Sequence, residues 1–312
     1  MNDVAATVVV PSRGGRDRLP RLLESLARQD RADFEVIVVL DGDIDDSQTF
    51  VETWRSTLNV RSVVFPENRG RAAALNAGAD AARAEVLIRA DDDLEVGPDF
   101  VAGHVLLHES RSCGVIGLST NVYPDNAYAR AYGVRADKRF IAGALDVDAS
   151  HAWRYWAGNV SVTREDHRRI GGYDLRFRKY GWEDVDFGYR LAQSGVPILI
   201  APELMARHHG ASLSTAARAV RALHSGAARE SFTQIHGEEA LGSVQRPSGV
   251  WGGLTWLTSR AVNERLLRAY GAAADAVSPY LPRRVGEKLV ALAVESAGLA
   301  GIRFPERARS TF

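Results

Sequence analysis

The sequence predicts an α/β protein: a mostly parallel sheet with flanking helices, followed by a C-terminal helical extension. As far as residue 118, short and nearly continuous apolar runs alternate with stretches of helical spacing. Such alternation is typical of a doubly wound parallel sheet. Beyond residue 213, by contrast, the pattern is of helices separated by Gly and Pro. Of the 312 residues, 46% are hydrophobic, which is enough for a large packed core and excludes an intrinsically disordered chain.

Each element follows from its own pattern. Five apolar runs predict strands, at residues 7–10, 35–40, 60–65, 85–88 and 114–118. Their unbroken apolar character is typical of strands that are buried on both faces. Between the strands, helical spacing is kept by a group of leucines at 19–26, by an alanine-rich stretch at 72–82, and by residues from Pro98 to about 109.

The composition excludes several classes of protein. The 39 Lys and Arg residues balance 39 Asp and Glu residues, so the excess of cations that nucleic-acid binding requires is absent. Cys113 is the sole cysteine, which excludes an intramolecular disulfide and fits a reducing compartment. The sequence has no apolar run long enough for a signal peptide or a membrane helix. We therefore expect a cytoplasmic protein with no nucleic-acid partner.

Polar residues follow each of the first four strands, at 11–15, 41–43, 68–71 and 91–93. Ligands of open α/β sheets bind beyond the carboxyl ends of the strands, so these loops are the expected binding site. Neither a dinucleotide-binding G-x-G-x-x-G nor a P-loop motif is present in the sequence. The site is therefore expected to hold another kind of ligand.

The triplet Asp91–Asp93 comes directly after an apolar strand. Acidic residues before a helix often do no more than complement the helix dipole. In an extended chain, however, the first and third carboxylates project to the same side, and oxygen ligands suit Mg²⁺ or Mn²⁺. A metal ion there could neutralise a diphosphate, and the position after a strand favours this interpretation.

Taken in order, these motifs resemble the nucleotide-sugar-dependent glycosyltransferases of family two, which have the Rossmann-like GT-A fold. The matching segments are 9–13, 40–42, 68–78, 91–93, 157–161, 171–174 and 181–186. The last three also resemble the C-terminal half of β-1,4-galactosyltransferases, as does the Met-x-x-His segment at 205–208. Trp182 directly precedes Glu183, whereas the galactosyltransferases have two glycines between these residues. The resemblance therefore leaves the donor sugar and the acceptor open.

The resemblance implies a UDP-sugar donor. Asp41 would bind the uracil edge, although it does not exclude thymine, and Arg71 at a helix start would meet the diphosphate. Asp91 and Asp92 would contact the ribose or reach the metal through water. The donor-binding candidates are Pro11, Ser12, Arg13, Asp41, Asn68, Arg71, Asn76, Asp91 and Asp92.

The metal, Mn²⁺ or Mg²⁺, would be bound by Asp93 and His208. The adjacent His209 leaves the register of the histidine ligand open. Met205 is a third candidate ligand, but its soft thioether does not suit a site of hard oxygen ligands, and a core position is its simpler explanation.

The resemblance places the catalytic base at Asp184, which would take the proton of the attacking hydroxyl. Acidic residues in a first helical turn also have a purely structural explanation, since they complement the helix dipole. Glu183 would hydrogen-bond the acceptor. A single base and no second nucleophile imply inversion of configuration. Aromatic rings can stack on sugars, and core tryptophans look identical in sequence; the acceptor candidates are Trp182, Trp156 and Asn159.

We expect a GT-A domain over residues 1–212, with a nucleotide-sugar-binding half at 1–118 and an acceptor half at 119–212. Residues 123–150 show no clear periodicity and are interpreted as a binding loop or lid. Residues 213–312 are expected to form helices at 216–235, 254–276 and 284–299. Their thirteen Arg and Lys exceed their eight Asp and Glu. They could contact the inner face of a membrane, pack on the catalytic domain or form a homodimer.

The leading hypothesis is an inverting, metal-dependent glycosyltransferase that moves a sugar from a UDP-sugar to a hydroxyl of a saccharide, a lipid-linked saccharide or a natural product. One alternative is a sugar nucleotidyltransferase, although residues 11–15 lack the Gly-rich basic signature of that class. Another is a catalytically silent nucleotide-sugar-binding module.

Overall fold

The computed structural model describes residues 4–178 and 181–309, which form two compact units. The described residues of the first unit are 4–122, 140–178 and 183–210. Those of the second are 123–139, 181–182 and 211–309.

Within the described residues, all ten strands belong to the first unit. They are β1 (Ala6–Ser12), β2 (Phe34–Asp41), β3 (Val60–Phe65), β4 (Val86–Ala90), β5 (Leu94–Glu95), β6 (Gly114–Ile116), β7 (Ser119–Asn121), β8 (Asn159–Thr163), β9 (Ile198–Ile200) and β10 (Ala206–His208). The five predicted strands correspond to β1–β4 and β6. The five other strands, β5 and β7–β10, were not predicted.

Seven strands form the central sheet, in the order β3-β2-β1-β4-β8-β6-β9. Neighbours among β1–β4 are parallel, and so are β6 and β9. β8 is antiparallel to both β4 and β6. A second sheet has the order β5-β10-β7. The predicted mostly parallel α/β sheet is therefore confirmed.

Helices cover both faces of the central sheet, and every residue of β1 and β2 is buried. The α-helices of the described residues are α1 (Leu19–Leu26), α2 (Ser47–Glu52), α3 (Arg71–Ala81), α4 (Phe100–His108), α5 (Val134–Leu145), α6 (Arg164–Arg169), α7 (Trp182–Gln193), α8 (Thr215–His236), α9 (Gly249–Thr258), α10 (Glu264–Val277) and α11 (Arg283–Arg303). α1 packs its four leucines into the same core as Val8 and Val10 of β1 and Val36 and Val38 of β2.

The prediction of an irregular loop at 123–150 is wrong. A π-helical turn at Ala129–Gly133 leads directly into α5. The Asn126 side chain accepts a hydrogen bond from the Ala129 backbone N–H at 2.8 Å, which caps the start of this helical segment. Ala, Arg and Leu are strong helix formers, and their propensity outweighs the interspersed Gly and Asp residues that suggested a loop.

In the second unit, α8 and α11 pack with their backbones in close contact. A Cβ at Gly301 would lie 2.1 Å from the carbonyl oxygen of Leu223, so glycine is required there. The helix predicted at 254–276 is instead two helices, α9 and α10. The break falls where Asn263 caps α10 by accepting a hydrogen bond from the Leu266 N–H. Across the described residues, no helix combines the length and apolar character needed to cross a membrane.

Candidate active site

The loop after β4 holds Asp91–Asp93, and an arginine binds each of the first two carboxylates. Arg89 Nε lies 2.9 Å from Asp91 Oδ1. Arg18 binds Asp92 in a bidentate pair, with Nε and Nη2 at 2.9 and 2.8 Å from the two carboxylate oxygens. These two carboxylates are therefore held in place by protein partners.

Asp93 differs from its two neighbours. Its Oδ2 lies 3.2 Å from Nε2 of His208. Its Oδ1 is buried, and no hydrogen-bond partner for it is found among the described residues. A buried carboxylate oxygen without a partner is costly, so this atom is a candidate for binding a cation.

His208 ends β10, which lies between β5 and β7. Its Nδ1 is 2.6 Å from Oδ1 of Asn121 on β7. Asn121 Oδ1 can only accept, so Nδ1 carries the proton and Nε2, if His208 is neutral, presents its lone pair toward Asp93. This is the usual arrangement of a metal-binding histidine whose second nitrogen is oriented by a hydrogen bond.

The choice between the two histidines follows from their contacts. His209 Nε2 lies 2.8 Å from Glu95 Oε2, so that histidine has a different partner. Met205 precedes β10 by one residue, and side-chain alternation in an extended chain places it opposite His208. The pair that remains is Asp93 and His208.

These residues fit a divalent metal that is shared with a substrate. Among the described residues, no group of three or more His, Cys, Asp or Glu side chains could hold a metal ion by itself. Mg²⁺ commonly binds one or two carboxylates together with substrate phosphates rather than an all-protein cage. Asp93 and His208 would be the protein ligands of such a site, with the unpartnered Asp93 Oδ1 as one donor atom.

Glycines lie against all three carboxylates of the triplet. A Cβ at Gly158 would lie 2.4 Å from Asp91 Oδ2, and one at Gly15 would lie 2.5 Å from Asp92 Oδ2. At Gly210 a Cβ would lie 1.9 Å from Asp93 Oδ2 and 2.9 Å from His208 Nε2. The backbone therefore approaches each carboxylate more closely than any residue with a side chain would allow.

The first turn of α7 supplies a second acidic group. Glu183 and Asp184 are only 3% and 7% exposed. Asp184 forms a buried ion pair with Arg89, and Arg71 Nη1 lies 3.4 Å from Glu183 Oε1. Asp186, in contrast, is bound by Arg190 of its own helix at 2.5 Å.

Burial sets the protonation of this pair. Loss of hydration raises the pKa of Glu183 to about 7, with a further contribution from the Asp184 charge. Burial also raises the pKa of Asp184, although Arg89 and Arg71 oppose the rise. At Asp91 burial acts in the same direction, but Arg89 and Arg71 outweigh it and the pKa is lowered.

The other predicted donor residues lie along the same edge of the sheet. Asp41 ends β2, and its carboxylate accepts hydrogen bonds from the backbone N–H groups of Arg69 and Gly70 at 2.5 and 2.9 Å. Asp41 therefore fixes the loop that leads into α3. Ser12, at the end of β1, donates to Asp92 Oδ2 at 2.6 Å. Three further candidates line these loops: Pro11 is buried, whereas Arg13 and Asn68 are exposed.

Three predicted site residues have structural partners instead. The Asn76 amide pairs with the backbone N–H and C=O of Tyr173, both at 2.8 Å. The Asn159 amide donates to the carbonyls of residues 118 and 204. Trp156 is 2% exposed and stacks on Phe187. Asn159 and Trp156 are thus buried and Asn76 is half-buried, and a sequence pattern does not separate such packing roles from binding.

Trp182 begins α7 and belongs to the second unit. Its indole N–H donates to the Ser225 carbonyl at 2.7 Å, and its ring packs against Phe232. Stacking of an acceptor sugar on the Trp182 ring therefore stays a prediction.

Sequence reasoning missed four residues that organise the site: Arg18, Arg89, Asn121 and Gly210. Arg89 carries a signal, since it is the only charged residue of the apolar strand β4. The others carry none, because their partners are distant in sequence; Arg18 and Asp92 are 74 residues apart.

Solved structures with a similar fold define the class. The mannosyltransferase PcManGT from Pyrobaculum calidifontis, in complex with GDP-Man and Mn²⁺, superposes with a TM-score of 0.63 at 20% identity, over 96% of this chain and 87% of that one. TarS residues 1–349 of S. aureus, in complex with UDP, gives a TM-score of 0.53 at 17% identity, over 94% and 90% of the two chains. The fold is that of the GT-A glycosyltransferases.

The chain belongs to glycosyl transferase family 2, whose family model matches residues 7–171. A second model, described as the N-terminal domain of galactosyltransferase, matches residues 146–210, which include Glu183, Asp184 and His208. Both resemblances predicted from the motifs are thereby confirmed.

Curated relatives agree with this family. Validoxylamine A glucosyltransferase of Streptomyces hygroscopicus subsp. jinggangensis is 30% identical over 227 residues, which cover 63% of this chain and 53% of that protein. An undecaprenyl-phosphate 4-deoxy-4-formamido-L-arabinose transferase of Pseudomonas fluorescens is 30% identical over 207 residues, covering 65% and 54%. The chain thus spans about half the length of these relatives.

Proposed function

We propose that this chain transfers a sugar from a nucleoside-diphosphate-sugar donor to a hydroxyl acceptor with inversion of configuration. A UDP-sugar is the leading candidate for the donor. The observation that carries the proposal is the contrast at Asp93. Its Oδ1 is buried and has no hydrogen-bond partner among the described residues, while Oδ2 faces His208. The buried Asp184 and Glu183 share the cations Arg89 and Arg71 with the same loop.

The donor would lie across the carboxyl ends of β1, β2 and β4. Arg71, the first residue of α3, would bind the diphosphate together with the free N–H groups of that helix start. Asp93 and His208 would hold Mn²⁺ or Mg²⁺. When bound, this metal would neutralise the charge that develops on the leaving diphosphate.

Asp184 would act as the general base for the acceptor hydroxyl, a role that requires the ionised carboxylate. Arg89 favours that form of Asp184 against the effect of burial. Glu183, whose pKa of about 7 leaves it partly protonated at neutral pH, would hydrogen-bond the acceptor. A single base without a covalent intermediate gives inversion, which NMR of the product anomer would test.

The first experiment is a calorimetric titration of the protein with UDP, dTDP and GDP, with Mn²⁺ or with EDTA. We expect UDP to bind tightly only with the metal. Asp93→Ala should lose this metal-dependent affinity, whereas Asp125→Ala, at a carboxylate that is 86% exposed, should keep it. Absence of nucleotide binding by the unaltered protein would overturn the proposal, and metal-independent binding would overturn the role of Asp93.

The acceptor is proposed as a saccharide, a lipid-linked saccharide or a natural product. A peripheral membrane contact is proposed through α9, where Val250, Leu254 and Leu257 project 93%, 40% and 60% of their surface on one helical face. Residues 241–263 contain Arg246 and Arg260 but no Asp or Glu, which favours an anionic bilayer.

Sedimentation with vesicles of phosphatidylglycerol and phosphatidylcholine tests this contact. We expect binding that increases with the anionic lipid and is lost when Leu257 and Val250 are both replaced by Ser. Failure to bind, or burial of this face in a homodimer detected by analytical ultracentrifugation, would contradict it.

A further inference from the structure

Arg89 lies in the middle of the central sheet. It belongs to β4, where its strand neighbours are Val9 on one side and Val160 on the other. The residue is only 4% exposed. A buried guanidinium costs several kcal/mol of desolvation unless it is paired, so its partners identify its role.

The guanidinium joins two carboxylates that come from separate parts of the site. Nε and Nη2 face the two oxygens of Asp91 at 2.9 and 3.3 Å. Nη1 forms an ion pair with Asp184, which is 95 residues away in sequence. One rigid, planar group therefore links the loop that carries Asp93 to the first turn of α7.

Several charged groups surround this link. Arg71 and Arg89 face Asp91, Glu183 and Asp184, with the Tyr173 ring 5.8 Å from the Arg89 guanidinium. Asp91 and Asp184 both bind Arg89 directly, whereas Glu183 is paired with Arg71. Arg89 is therefore shared between two carboxylates, and a change at either partner alters its hold on the other.

We propose that Arg89 is a positioning residue for the reaction: it fixes the orientation of Asp184 and couples Asp184 to the loop of Asp91–Asp93. This inference rests on the proposed function, in which Asp184 is the base. The Nε, Nη1 and Nη2 groups of Arg89 all contact Asp91 or Asp184, so it acts through the two carboxylates it holds.

The sharing predicts opposite effects for two variants. In Arg89→Lys the planar guanidinium that contacts both carboxylates is lost, so Asp184 is held less firmly and its pKa rises. In Asp91→Asn the carboxylate that competes for Arg89 is replaced by a neutral amide. Arg89 then interacts more strongly with Asp184, and the pKa of Asp184 falls. The acid limb of the pH–rate profile should therefore move to higher pH in the first variant and to lower pH in the second.

The experiment measures kcat and donor KM from pH 5 to pH 9 with Mn²⁺ present. For Arg89→Lys we expect kcat to fall about 100-fold, as for a misplaced reactive group, while donor KM stays within about twofold. Arg190→Lys is the matched control, because it weakens a comparable pair with the buried Asp186 on the same helix. It should leave the position of the acid limb unchanged.

A shift of the acid limb in the same direction in Arg89→Lys and Asp91→Asn would overturn the inference. So would an unchanged kcat in Arg89→Lys. If Arg89→Lys does not fold, Asp91→Asn decides the matter alone, since an upward or absent shift contradicts the shared cation. Turnover by the unaltered protein separates the two proposals. An inactive wild type refutes the proposed function, whereas an active wild type with no opposed shifts refutes only the role of Arg89.

Discussion

The loop after β4 and the N-terminal part of α7 each carry three carboxylates, but their surroundings differ. In the loop, Asp91 and Asp92 are each bound by an arginine in bidentate fashion, and Asp93 keeps one buried oxygen without a partner among the described residues. In the helix, two adjacent carboxylates are buried together and their pKa values rise, while the third is bound by an arginine.

The comparison shows how the same functional group acquires different chemistry. A carboxylate whose neighbours are fixed by cations can offer an oxygen to a metal ion. A carboxylate that is buried beside another can exchange a proton near neutral pH. The partners, more than the residue type, separate the proposed metal-binding region from the proposed proton-transfer region.

The largest expected effect separates two carboxylates of α7. Asp184→Asn removes the proposed base and should lower kcat by about 10²- to 10⁴-fold, with UDP affinity unchanged. Asp186→Asn alters a residue that is equally buried but bound by Arg190, and it should lower kcat far less. Steady-state kinetics and calorimetry on both variants measure the contrast, and similar losses in the two would remove it.

The next effect concerns stability. The pKa of Glu183 is about 7 in the folded protein, against an ordinary value of 4.5, so folding favours its protonated form. The associated stability is complete below pH 4.5 and is lost as the pH rises through 7. It amounts to about 3 kcal/mol by linkage.

Glu183→Gln cannot ionise, so its free energy of unfolding relative to the wild type should rise by about this 3 kcal/mol between pH 4.5 and pH 8. Urea titrations at the two pH values provide the measurement. The exposed Glu203→Gln serves as the control. Curves for Glu183→Gln that run parallel to those of the wild type would show that burial does not perturb this carboxylate.

A smaller effect is expected on the metal side. Asn121→Ala removes the acceptor that orients His208, which should weaken Mn²⁺-dependent UDP binding by about 10- to 100-fold without changing the pH profile of kcat. Calorimetry at several Mn²⁺ concentrations provides the test. Unchanged affinity would exclude His208 as an oriented ligand.

The sequence predicted the sheet, the family and the acidic loop because these depend on local patterns. Strand periodicity and position identify Asp91–Asp93 as residues at the carboxyl end of a strand. Local patterns do not show that Arg18 binds Asp92 and Arg89 binds Asp91, so that an oxygen of Asp93 is left without a partner among the described residues. Such contacts form only when segments that are distant in sequence meet in the fold. The same limitation explains Asn159, whose amide looks like a binding group until its three core contacts are seen.

Gly15, Gly158 and Gly210 constrain how this enzyme fold can be engineered. Since a Cβ at any of them would overlap a carboxylate oxygen, a saturation library at these positions would yield almost entirely inactive members. Under the proposed function, new donor specificity would come from exposed positions such as Arg13 and Asn68. The three glycines thus define the part of the site that directed evolution must leave fixed.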